Sequence, residues 1–309
     1  MTIPFKMTKL LFLLLASVIG LAACDSRSPY HKKDGQWFFE SRSLGVAATV
    51  PLKALNATFA RVGDQIYFRH DAVEGADSAT FIALDEDYGK DKAAAYFGDT
   101  FRDSKDYFLV KKTRVLTIAG ADAASFRVLK DGYAADAARP YYEGKPFTVR
   151  DVASFEVLDY GFSRDRVRGY SVRNEIAASD GATFVALDPA YARDATNVYY
   201  AFLDNQSKIG RMQPTVTIIA GADAGSFVGK TGSYAVDARG VYFRGRAISS
   251  SPAAFERLNL SYAKTASEVF YDGEKVPGAD AATFKVLQPP EERADAADVK
   301  ARYLNGKRI

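Results

Sequence analysis

One cysteine, two histidines and one tryptophan stand in a chain of 309 residues. A lone thiol, Cys24, excludes a disulfide framework. With only His31 and His70 beside it, the usual Cys/His zinc sites cannot be assembled, and no metal or cofactor is expected. There is no Gly-rich phosphate loop, no nucleophile elbow and no kinase signature. Charge of one sign is scarce too. Lys and Arg total 41 against 38 Asp and Glu, so no broad basic face and no nucleic-acid partner are expected. The repeated Asp residues lack the spacing and the glutamate of a calcium loop, so they read as turn and cap residues. What the chain does have is aromatic side chains, 18 Tyr and 21 Phe, in an otherwise globular composition with 48% hydrophobic and 26% charged residues.

The one long apolar run, residues 10–23, is too short for a comfortable membrane span and follows Lys6 and Lys9. It ends in Leu21-Ala22-Ala23-Cys24, which resembles a bacterial lipobox. Residues 1–23 are therefore expected to be a lipoprotein signal peptide, with Cys24 as the site of lipid attachment. Acylation consumes the otherwise unexplained thiol, and a diacylglycerol plus an amide-linked acyl chain exceeds the two-chain threshold for stable anchoring. This places the protein on a bacterial cell membrane, facing the periplasm. Asp25 favours the inner over the outer membrane. Residues 24–36, polar with one Pro and one Gly, read as a tether.

The remainder, 37–309, repeats. A Phe recurs at 81, 126, 155, 184, 227 and 255, and an aromatic pair starts fifteen residues after each, at Tyr96, Tyr141, Tyr170, Tyr199, Tyr242 and Phe270. Phe59 and Phe284 belong to the same Phe series, and Tyr67 and Tyr303 to the pairs. Fourteen residues separate a pair from the next Phe, as from Tyr170 to Phe184, which gives a unit of 29. Between them stand a Tyr or Phe (Tyr88, Tyr133, Phe162, Tyr191, Tyr234, Tyr262) and, three residues on, an Asp (Asp91, Asp136, Asp165, Asp194, Asp237). Longer spacers after Tyr96-Phe97 and Tyr199-Tyr200 group the units into three blocks, approximately 37–115, 116–216 and 217–309.

Each unit has a physical reading. Asp77, Asp122, Asp223 and Asp280, with Asp151 and Asp180 as variants, read as N-caps of one-to-two-turn helices. Asp272-Gly273, Glu143-Gly144 and Asn305-Gly306 read as two-residue hairpin turns. The expected fold is mainly β: an elongated array of short antiparallel meanders, each with a helical turn, stable only when stacked. The phrase Tyr191-Ala192-Arg193-Asp194-Ala195-Thr196-Asn197-Val198-Tyr199-Tyr200, with Asn305-Gly306-Lys307, resembles the DKNYY repeat family. That resemblance implies an extracytoplasmic or membrane-attached protein and supplies no catalytic residues.

The first members of the pairs, Tyr67, Tyr96, Tyr141, Tyr170, Tyr199 and Tyr242, share their strand side with polar residues such as Gln65 and Arg69. Two readings follow. The column lines a groove for an envelope glycan, peptide or protein, or each ring packs against the neighbouring unit with its hydroxyl at the water boundary. The function expected is a non-catalytic binding or scaffold role at the cell envelope. The alternative is an envelope hydrolase with a glycosidase-like carboxylate pair.

Overall fold

The computed structural model describes residues 28–102, 111–204, 213–230, 233–291 and 293–309. Among them the chain forms nine antiparallel sheets, one of three strands and eight of four, each a plain meander in chain order. A typical sheet runs Val185–Ala186, Tyr191–Arg193, Val198–Asp204, Gln213–Ile218. The sheets are taken here as units one to nine. Long hairpins stand in the third and sixth units, where Ala95–Arg102 pairs with Lys111–Thr117 and Val198–Asp204 with Gln213–Ile218. The tips of both expected spacers lie outside the described residues.

No α-helix is present among the described residues, which corrects the expected one-to-two-turn helix in each unit. The segment is a single turn, and only Val152–Ser154 reaches a 3-10 geometry. The cause is local. Asp77 Oδ1 accepts the N–H of Ala79, two residues on rather than three, and the same bond recurs from Ala124 to Asp122, Ala182 to Asp180, Gly225 to Asp223 and Ala282 to Asp280. Such a bond closes a turn in place of the next helical one. The chain then extends at the Phe, as at Phe155 with ψ 126°.

The expected two-residue turns are formed. Asp272 (φ 47°) and Gly273 (φ 79°) both take left-handed backbone, as do Glu143-Gly144, Asn305-Gly306, Asp34-Gly35 and Arg244-Gly245. That conformation matches the twist of the flanking strands. Asp34-Gly35 also changes the reading of the tether. Tyr30–Lys33 pairs with Gln36–Phe39 across that turn, and Tyr30 is buried, so residues 30–36 belong to the first sheet.

The core lies between units rather than within them. Each of eight apolar clusters joins one unit to the next. Tyr191, Val198, Tyr200 and Ile219 of the sixth unit pack with Ala224, Phe227, Ala235 and Tyr242 of the seventh. The other clusters repeat this arrangement, from Tyr30 and Phe39 with Ala60 and Tyr67 to Tyr262 and Val269 with Phe284 and Tyr303. A unit that supplies half of two cores has none alone.

Candidate functional site

The repeated Tyr and Asp meet inside each unit. From the second unit on, a small residue stands across the strand pair from the first aromatic of the pair: Ala60 opposite Tyr67, Gly89 opposite Tyr96, Ala134 opposite Tyr141, Ala192 opposite Tyr199. It makes room for the unit's Phe. A Cβ on Gly89 would sit 2.3 Å from Phe81 Cζ.

The tyrosine hydroxyls turn to aspartate. Tyr96, Tyr141, Tyr170, Tyr199 and Tyr242 donate to Oδ2 of Asp91, Asp136, Asp165, Asp194 and Asp237 at 2.6–2.8 Å. Tyr303 and Asp298 repeat the bond at 2.8 Å in the last unit. The same Oδ2 accepts a backbone N–H from the Asx turn fourteen residues earlier, eighteen in the last unit, as from Asp180 to Asp194 at 2.9 Å. Oδ1 accepts two more, from Thr196 (2.8 Å) and Asn197 (2.7 Å) in that case. Each carboxylate thus closes its own turn, the preceding turn and the aromatic pair. Burial pushes the Asp194 carboxyl up, but the Tyr199 hydroxyl and three backbone N–H groups outweigh it and hold it at about 2. Asp91, Asp136, Asp165 and Asp298 are lowered on the same balance. The partner tyrosines are raised, by burial first and the carboxylate second.

The six candidate tyrosines are therefore not an open ladder. Tyr141, Tyr170 and Tyr199 have no exposed surface, Tyr96 and Tyr242 are buried, and Tyr67 retains 9%. Inter-unit packing is the arrangement present. The strand side that reads as polar is covered by the preceding unit, because stacked sheets bury both faces of their middle strands.

The second tyrosine, in the units that have one, makes the joint to the next, a role not recognised from the sequence. Tyr191 donates to Ser233 O (2.8 Å) and accepts from Gly245 N (3.2 Å). Tyr88 does so with Gly132 O and Gly144 N, and Tyr234 with Ser261 O and Gly273 N. The turn glycine sits on the preceding pair's second ring, and a Cβ on Gly245 would lie 2.7 Å from Tyr200 Cβ. Phe59 belongs to this series and not to the turn-closing Phe series, since it pairs with Phe68 as Tyr88 pairs with Phe97. In the third and fifth units a cation two residues after this position binds the next turn. Lys90 Nζ donates to Ala123 O and Phe126 O, both at 2.9 Å, and Arg164 donates to Phe184 O at 3.1 Å. A cation at that fixed offset was the sequence signal.

The array has two unlike ends. In the last unit Asp295 replaces the joint tyrosine, accepting from Tyr262 (2.8 Å) and Asn305 N (2.9 Å), and Leu304 replaces the second aromatic with 39% of its surface exposed. In the first unit Phe38 holds the place of the buried pair tyrosine and is half-buried. Two open clefts of about 320 Å³ lie between units. One is lined by Thr80, Ile82, Lys90, Asp91, Lys92, Ala123 and Ala124, the other by Arg139, Pro146, Phe147 and Val149 among others. The single carboxylate between them, Asp91, is already hydrogen-bonded as above. Cys24, residues 1–23 and the start of the tether lie outside the described residues. No helix among the described residues is long and apolar enough to cross a membrane.

A family model described as the DKNYY family matches residues 59–174 and, overlapping, 101–243. No curated protein and no solved structure matches the chain.

Proposed function

We propose, from the premise that the chain belongs to the DKNYY family, that it is a lipid-anchored, extracytoplasmic protein with a non-catalytic binding or scaffold role at the bacterial cell envelope. One observation supports this above the rest. The polar residues that recur from unit to unit are spent on the unit and its joints: the aspartate oxygens on backbone N–H groups and tyrosine, the joint tyrosines on backbone of the next unit. The repetition serves construction, leaving the outer surface as the working part. The lipobox ending in Cys24 supplies the anchor.

Two measurements test this reading. Cys24→Ser should move the protein out of the membrane fraction and abolish acyl labelling, because no other strong anchor is written in the chain. Cross-linking in intact cells should then capture an envelope partner with the wild type, and that partner should leave the membrane-bound complex in the variant. Retention and labelling without Cys24 would remove the anchor. Release of cleaved glycan or peptide by the purified protein would replace the scaffold with the hydrolase.

A further inference from the structure

The pair ring of each later unit packs on the unit before it, as Tyr242 does on Tyr191 and Tyr200. No unit precedes the first among the described residues, and Phe38 lies on the strand side opposite the buried Phe39. His31 stacks on it with ring centroids 5.9 Å apart, and Lys33 Nζ lies 5.8 Å from its centroid. On the other side of the same hairpin Lys32 Nζ lies 4.9 Å over Trp37. His31, Lys32 and Lys33 are exposed, and the acids of this hairpin are Asp34 in its turn and Glu40 at its end.

We infer that this end of the array rests on an anionic lipid surface. The inference depends on the anchor proposed at Cys24. Cleavage there leaves only residues 24–27 ahead of the first described residue, Ser28. Four residues span at most about 14 Å when extended, which limits how far the hairpin can stand from the anchoring surface. They are also too few to cover the face themselves. The side chains suit that surface. Phe38 offers an apolar ring for shallow insertion, and Lys33 beside it and Lys32 on the other side of the hairpin have stems long enough to bring their ammonium groups to phosphate. In six of the later units the same position is filled by a ring whose hydroxyl is tied to aspartate. Phe38 has no hydroxyl to satisfy.

Trp37 is the one tryptophan of the chain, so it reports this hairpin alone. The acylated full-length protein should be reconstituted in vesicles carrying a headgroup nitroxide quencher, either phosphatidylcholine alone or with phosphatidylglycerol. Co-flotation is measured in parallel. Trp37 should be quenched in the anionic vesicles, about threefold more than in the zwitterionic ones. Lys32→Glu combined with Lys33→Glu should abolish that difference while co-flotation and thermal unfolding stay as in the wild type. An unquenched Trp37 in anionic vesicles that carry the protein would overturn the inference and leave the anchor intact. Failure to co-float would remove the anchor and this placement together. A dimer of the Cys24→Ser protein in sedimentation that dissociates on Phe38→Ser would assign the face to a second copy.

Discussion

The Tyr199 hydroxyl donates to Asp194 Oδ2 across 2.6 Å, inside a ring of three backbone N–H groups that bind the same carboxylate. Both residues have no exposed surface. Tyr199→Phe keeps the ring and removes only the donor. A hydrogen bond to a charged group is worth about 2 kcal/mol, and urea unfolding should show a loss of that size. Tyr160→Phe, at an exposed position, should be neutral in the same assay. Equal midpoints for Tyr199→Phe and wild type would remove the carboxylate from its role as the unit's hub.

The carboxylates set an acid limit. Asp194 is held at about 2, against an ordinary 3.8, and Asp91, Asp136, Asp165 and Asp298 are lowered in the same direction. A group lowered by folding stabilises the fold above its unfolded value. That contribution disappears as the pH falls through its folded value, because the unfolded chain then binds more protons. Asp194 alone contributes about 2 kcal/mol at neutral pH on this basis. Near-ultraviolet circular dichroism should therefore hold steady down to about pH 4 and collapse toward pH 2. The stability gap between Asp194→Asn and wild type should narrow over the same interval. The phenols set an alkaline limit by the opposite sign. Burial raises Tyr234 and Tyr303 to about 12, so their contribution is whole below 10 and lost as the pH climbs toward 12.

Two glycines separate backbone strain from packing. Gly273 (φ +79°) and Gly278 (φ +74°) have similar backbone, but a Cβ on Gly273 would lie 2.3 Å from Phe243 Cδ1, whereas one on Gly278 meets nothing within 4 Å. Alanine at Gly278 should cost about 1 kcal/mol, for the left-handed residue alone. Alanine at Gly273 should cost a further 1–3 kcal/mol or so, for overfilling the joint between the seventh and eighth units. Thermal melts of the two variants give the comparison, and matching melting temperatures would contradict the seating of the turn on the ring.

Phe184 has no exposed surface and lies 6.0 Å from Phe162 and 5.8 Å from Tyr199, ring centre to ring centre. It sits on Gly169 of the preceding unit. Phe184→Ala should cost about 3–5 kcal/mol. Hydrogen exchange should quicken most in the fifth and sixth units and fade with distance, since repeats couple through neighbours. Uniform acceleration from Tyr30 to Arg308 would mean a single cooperative core.

The units, the hairpin turns and the Asp after each second tyrosine were legible because each depends on residues close in sequence. Asp272-Gly273 carries its turn in two letters. The helices were misread for a related reason: Asp followed by Ala, Thr and Phe is an opening shared by a helix and an Asx turn. The choice between them lies in Asp194 accepting the N–H of Asp180, a bond across fourteen residues. The burial of Tyr67 through Tyr242 was not legible from strand alternation, which assumes one wet face. Gln65 and Arg69 sit at the ends of a short strand whose centre is covered on both sides, and a neighbouring unit leaves no mark on the two-residue period. Tyr191 as a joint was hidden because its partners, Ser233 O and Gly245 N, are backbone atoms that any sequence would offer.

Cores that lie between units make length an adjustable quantity. Excising one unit from its joint tyrosine to the next removes one core and rejoins two surfaces of the same chemistry, so the shortened chain meets no unfamiliar contact. Sheets packed face to face lie about 10 Å apart, and the stack would lengthen or shorten in steps of that size. Only the end pieces, Phe38 in the first unit and Asp295 with Leu304 in the last, resist exchange with the middle. The molecule is in this sense a ruler, with graduations set by the spacing of its tyrosines.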